Sequence, residues 1–233
     1  MKKMLMVAGL AITGVANAQL FDQSQLVNGV HASGHNSTLE AGETIFGFGA
    51  QTANNNVMSD DFTLGTAANL THSRLFTYQT GATAPSITGV NFAVGASATT
   101  SLTAATILST GWYDIAGQGV FRTNTGDTTG TTRRIQFVDV EFNQALAAGT
   151  HFLSFSFSGT GTSGPWAVPL PTSLATHGQN AQQSLAGGAF APAAQGTVGA
   201  DASFAVFGQP VPEPSSMAAL GLGIAAILRR RRK

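Results

Sequence analysis

Apolar and polar residues alternate with a period of two through much of this chain. In "HFLSFSFSG" Leu153, Phe155 and Phe157 fall on one face, and Ser154, Ser156 and Ser158 on the other. In "GVNFAVG" Val90, Phe92 and Val94 oppose Asn91 and Ala93. In "VMSDDFTLG" Met58, Phe62 and Leu64 share a parity that Asp60 interrupts. Such alternation predicts β-strands with one face on a core. "THSRLFTYQT" and "TTRRIQFVDVEF" are rich in β-branched and aromatic residues and predict two more. The second changes parity, with Ile135 and Phe137 odd but Val140 and Phe142 even. A bulge near Val138, or burial on both faces, accounts for the change. "ETIFGFGA", "ATILST", "QGVFRT" and "SFAVFG" predict shorter strands.

Turn clusters such as "TANNN", "QTGATAPS" and "NTGDTTGTT" separate these runs. No long helix is predicted between the two ends. "TSLATHGQNAQQSLAGG" comes nearest, and its glycines weaken it. The predicted class is all-β: a single β-sandwich or jelly-roll-like domain. The Gly-, Ala- and Pro-rich stretch 159–197 is expected to form long loops within it.

The two ends follow other rules. "MKKMLMVAGLAITGVANAQ" has Lys2 and Lys3, then an apolar stretch, then small residues at Ala16 and Ala18. That order predicts a secretory signal peptide over 1–18, cleaved by signal peptidase between Ala18 and Gln19. At the other end, residues 217–228 carry no charge and are followed by Arg229, Arg230, Arg231, Arg232 and Lys233. As a helix this run is about 18 Å long, short of the ~30 Å hydrocarbon core, so it predicts a marginal transmembrane-type helix. The basic cluster would stay cytoplasmic by the positive-inside rule.

Val211, Pro212, Glu213 and Pro214 precede that helix. A Pro-Glu-Pro turn, a short apolar helix and an Arg cluster, in that order, resemble the PEP-CTERM sorting signal of Gram-negative bacteria. The resemblance covers residues 210–233. It implies recognition and processing near the motif by an exosortase, after transient anchoring in the inner membrane. It also implies a place at the cell surface among extracellular polysaccharide and biofilm components. Two prolines keep this stretch extended, as a protease substrate should be. A second group of segments, "MSDDFTL", "ITGVNFAV" and "LAAGTHFLSFSFSGTGTSGPWA", is similar to a set of secreted bacterial β-sandwich modules. That likeness implies a fold and no activity. The expected organisation is a signal peptide (1–18), an extracellular sandwich (19–209) and a sorting signal (210–233).

Charge sharpens this picture. The formal net charge of zero hides an asymmetry, because seven of the eleven cations lie at the two ends. The middle keeps four Arg, no Lys and ten of the eleven acids, a net charge of −6. An acidic body argues against nucleic-acid binding. The chain has no cysteine, which excludes disulfides, thiolate metal sites and thiol nucleophiles.

Candidate chemistry is sparse. Asp60 and Asp61 are either solvated strand acids or weak calcium ligands, but neighbours on a strand point to opposite faces. His31 and His35, with Glu40 and Glu43 downstream, have zinc-like composition in a Gly-rich context that disfavours a helix. Asp139 and Glu141 share a strand face. Paired acids can hydrolyse glycosides, although two solvated acids on a sheet edge are the commoner arrangement. His72, His151 and His177 are isolated surface polar groups by the same reading. No nucleophile elbow, P-loop or zincin motif occurs, and no cofactor is expected. Trp112, Tyr113 and Trp166 are either core plugs or aromatic faces for sugar rings. The expectation is an exported, non-enzymatic surface protein associated with polysaccharide. A secreted glycan hydrolase is the alternative, and a permanently anchored membrane protein a third reading.

Overall fold

A computed structural model describes residues 17–27, 29–30, 36–37, 47–123, 130–170, 181–195 and 198–211. The expected signal helix, the Pro-Glu-Pro motif, the tail helix and the Arg cluster lie outside the described residues. So do the side chains of His31, His35, Glu40 and Glu43, and His177. Among the described residues no helix is long and apolar enough to cross a membrane.

Eight strands of six residues or more carry the fold. They are β1 (Ala18–Gln23), β2 (Val57–Leu64), β3 (Ala68–Tyr78), β4 (Ile87–Gly95), β5 (Ile107–Trp112), β6 (Gln136–Leu146), β7 (Gly149–Gly159) and β8 (Phe204–Pro210). One sheet runs β1-β8-β3-β6-β5, and the other is built on β2-β7-β4. All these pairs are antiparallel. With strands 1-8-3-6 facing 2-7-4, the order is that of a jelly roll. Thr103–Ala104 pairs with the outer edge of β4, and the chain then crosses to the first sheet as β5.

The alternation read from sequence fills the space between the sheets. Met58, Phe62 and Leu64 from β2 and Leu153, Phe155 and Phe157 from β7 meet Leu75, Val138, Val140, Phe204 and Val206 from the facing sheet. Each buried Phe or Leu contributes roughly 1.5–3 kcal/mol over leaving it in water. In β6 the even residues Val138, Val140 and Phe142 enter this core. Ile135 and Phe137 join a second cluster with Leu26, Phe76, Tyr78, Val120 and Val168. The parity change is therefore burial on both faces. The ladder to β5 also shifts register between Asp139 and Val140.

The stretch expected as long loops holds short strands as well. Trp166–Ala167 pairs with Phe48–Gly49 on one side and with the end of β3 on the other. Gln182–Ser184 extends the second sheet along β2. These pieces are too short to carry a period-two signal.

Candidate functional site

The short strands meet at the end of β3 that carries Tyr78. There they frame an open cleft of about 710 Å³, lined by Gly49, Gln51, Asn54, Asn56, Ser163, Trp166, Gln183 and Leu185 among others. Every described side chain lining it is neutral. Its volume lies in the range of small-ligand sites, roughly 300–1,000 Å³.

The "TANNN" cluster forms one wall. Thr52–Asn54 is a single 3-10 turn, closed by Asn55 in the left-handed region at φ 54°. The Gln51 carbonyl accepts from the Asn54 and Asn56 amides at 3.1 and 3.0 Å. Side chains then lock the wall to its neighbours. Gln51 Nε2 donates to the Pro165 carbonyl at 2.8 Å, and Asn56 Nδ2 donates to Gln51 Oε1 at 2.6 Å. The Ala186 amide donates to Asn56 Oδ1 at 2.9 Å, and Gln183 Nε2 to the Gly49 carbonyl at 2.9 Å. Each primary amide has two N–H groups and two lone pairs, so these bonds fix the side chains while leaving polar capacity toward the cleft.

Trp166 also lines the cleft and is half-buried. Its backbone lies between Gly49 and Tyr78, and its carbonyl accepts from Thr77 Oγ1 at 2.9 Å. Gly164 sets the approach. It has φ 90°, and a Cβ there would lie 2.6 Å from Trp166 Cδ1, so both conformation and space require glycine. Leu185, 57% exposed, adds an apolar surface to the same cleft. A rigid indole face and oriented amides and hydroxyls suit a polyol with apolar C–H faces, as a sugar ring is.

The other aromatic candidates lie elsewhere. Trp112 ends β5 beneath the Arg134 guanidinium, 4.7 Å from the ring centroid, and Arg134 also pairs with Asp114 at 2.8 Å. Tyr113 sets its ring edge-on to Phe76 at 4.8 Å, and burial pushes its phenol up. Neither lines the cleft.

The acids are not solvated as expected. Asp60 is fully buried. Its Oδ2 accepts from Gln23 Nε2 at 2.9 Å and the Ala202 amide at 2.8 Å, and its Oδ1 from the Asp61 amide at 2.9 Å. It thus ties β2 across the sandwich to β1 and to the entry of β8. Burial pushes its carboxyl well above the usual range, and the nearby Asp201 charge adds to this. Asp61 is half-buried on the opposite face. Among the described residues no group of three or more His, Asp or Glu is placed to hold a metal ion.

Asp139 sits on β6, which lies between β3 and β5 and is not a sheet edge. It faces Arg74 on one side and Ser109 on the other. Arg74 Nε and Nη2 donate to its two oxygens at 2.7 and 2.8 Å, and Ser109 Oγ donates at 2.7 Å. Burial alone would raise this carboxyl, but the Arg74 and Ser109 bonds outweigh it and hold the carboxyl below the usual range. Glu141 accepts from Asn143 at 2.6 Å. His72 stacks on Phe207 with ring centroids 4.5 Å apart, and His151 lies 2.9 Å from the Ala147 carbonyl through Nε2.

A family model for the PEP-CTERM protein-sorting motif matches residues 210–233. No curated protein and no solved structure matches the chain.

Proposed function

We propose that this exported chain, which carries a PEP-CTERM sorting signal for an exosortase, is a non-enzymatic glycan-binding protein of the cell surface. The observation that carries the reading is the cleft: one indole, several oriented amides and, among the described residues, no ionisable side chain in its lining. Hydrolysis of a glycoside calls for two carboxyl groups flanking the bond. Asp139 is committed to Arg74 and Ser109 and lies away from the cleft, so the hydrolase alternative has less support.

The placement of the ends supports the same reading. The described chain leaves the body at Val211, whose amide donates to the Ala67 carbonyl at 2.8 Å, beside the first residue of β3. Trp166 pairs with Tyr78, the last residue of β3. Ten residue steps of strand separate the two points by about 33 Å. Five residues lie between Val211 and the apolar run, a reach of about 20 Å. A tail in the membrane would keep the Val211 pole within that reach of it, and the cleft lies at the other pole. Signal peptidase and exosortase act at the inward pole, and the extracellular polysaccharide meets the other.

Affinity electrophoresis of the surface-released protein through gels containing exopolysaccharide from the producing cells tests the proposal. Retardation by the polymer, lost in Trp166→Ala with no release of reducing ends, is expected. Equal mobility with and without polymer, or steady release of reducing ends, would overturn it.

A further inference from the structure

The polar face of β7 is not open to water. Leu153, Phe155 and Phe157 enter the core, so alternation turns Ser154 and Ser156 outward, where such a strand ordinarily meets solvent. Yet Ser154 is 0% and Ser156 2% exposed, because two segments cover them. The Asn-rich turn covers Ser156, whose Oγ lies 2.9 Å from Thr52 Oγ1. Asn91, the ladder partner of Ser156 on β4, donates through Nδ2 to the same Thr52 hydroxyl at 3.4 Å. The stretch 96–102 covers Ser154. Its Thr99 amide donates to Ser154 Oγ at 3.1 Å, and that hydroxyl donates to Ser59 Oγ at 2.8 Å.

Between the two covers lies a second hollow of about 310 Å³, with Thr52, Asn55 and Asn56 on one side and Thr100 and Leu102 on the other. Its volume also falls in the range of small-ligand sites, roughly 300–1,000 Å³. Both covers are bonded to the sheet beneath, so the gap is preformed. Asn56 lines this hollow and the first cleft alike, so the turn 52–56 is the ridge between them. Exposed Asn55 and Thr100 offer an amide and a hydroxyl at the rim, and half-buried Leu102 adds an apolar surface. The second hollow thus repeats the chemistry of the first. No described side chain lining either one is charged. The body carries a net charge of −6 over residues 19–211, so a polyanion is repelled at long range and finds no cation in either lining.

We infer that the two hollows form one binding path for a stretch of uncharged polysaccharide laid across Asn56, with one sugar against Trp166 and another between Asn55 and Thr100. This rests on the glycan-binding reading above and adds a second subsite and the class of polymer. The probe is exopolysaccharide of the producing cells, cut by partial acid hydrolysis, split by anion exchange into uncharged and acidic pools, and sized into disaccharides and longer oligomers. Binding to the full surface-released protein is measured by calorimetry. Longer uncharged oligomers are expected to bind about tenfold more tightly than the uncharged disaccharide, and more tightly than acidic oligomers of the same size. Asn55→Gly suits the left-handed backbone of the turn, and Thr100→Ala removes the facing hydroxyl. Together they reduce the length preference to about twofold or less. Unchanged disaccharide affinity in that double variant shows that it is folded. Equal affinity of the wild type for both lengths, an undiminished length preference in the double variant, or equally tight binding of the acidic pool overturns the inference and leaves glycan binding standing. Binding that is indifferent to Trp166→Ala, or absent for every fragment, removes the glycan-binding reading and the inference with it.

Discussion

Ala18 pairs with Gly208, at one end of the ladder between β1 and β8. The expected signal-peptide junction and the start of the sorting signal are thus neighbours in space, although 190 residue positions separate Ala18 from Gly208. The described chain begins and ends at one pole of the body. A chain with both ends in the membrane needs no rearrangement of its sandwich. Removing residues 1–18 leaves Gln19, Phe21, Asp22 and Gln23 on their β8 partners.

Gly208 tolerates no side chain at this junction. A Cβ there would lie 2.4 Å from the Asn69 carbonyl oxygen and 2.9 Å from Leu70 Cα, both backbone atoms of β3. The β8–β3 register also shifts between Phe207 and Gly208. Gly208→Ala is expected to cost about 1–3 kcal/mol in a urea melt, because backbone must move to admit the methyl group. A change of less than about 0.5 kcal/mol would show that the ladder yields easily there.

The Arg74–Asp139 pair should appear as acid sensitivity. The folded carboxyl lies below its ordinary value of 3.8. Its contribution is present above that value and is lost as pH falls through the lower folded value. Asp139→Asn should cost about 1–2 kcal/mol at pH 7, a modest figure because Arg74 remains partly in water. The gap between variant and wild type should narrow progressively in urea melts as pH falls below 3.8.

Asp60 has the opposite sign. Its folded carboxyl lies above its ordinary value of 3.8, so the folded state keeps a proton that the unfolded chain has released. Its contribution is fully present below that value and declines as pH rises through the folded value. Asp60→Asn loses at least one acceptor for the Gln23, Ala202 and Asp61 N–H groups and is expected to be less stable. Its deficit should be greatest below pH 3.8 and shrink as pH rises above it in chemical denaturation. A deficit that grows with pH would contradict this account.

Trp112 and Trp166 should separate stability from binding. Trp112 is engaged with Arg134, so Trp112→Ala lowers the melting temperature and leaves polymer affinity within about twofold. Trp166→Ala weakens affinity about tenfold or more, read by the same calorimetry. Equal losses of affinity in both variants would make the indole effect one of general folding.

Much of the fold was legible because its strands are long. Leu153, Phe155 and Phe157 announce β7, and their partners in β2 and β4 show the same alternation. Asp60 was not legible as a core group. A lone carboxylate in an apolar parity looks the same whether it meets water or Gln23 and Ala202, and those partners are 37 and 142 positions away. Trp166 was visible as a candidate, but its cleft was not. Gln51 and Gln183 reach it only because Phe48–Gly49, Trp166–Ala167 and Gln182–Ser184 are threaded among longer strands. The "TANNN" turn was the one local hint, since an Asn-rich turn places several amides together.

Intact-mass spectrometry of the protein recovered from the surface of its native cells tests the central claim most directly. The account predicts a single species that begins at Gln19 and lacks residues 229–233, having been cut near Val211–Pro214. A full-length species that keeps both the leader and the Arg cluster would contradict it.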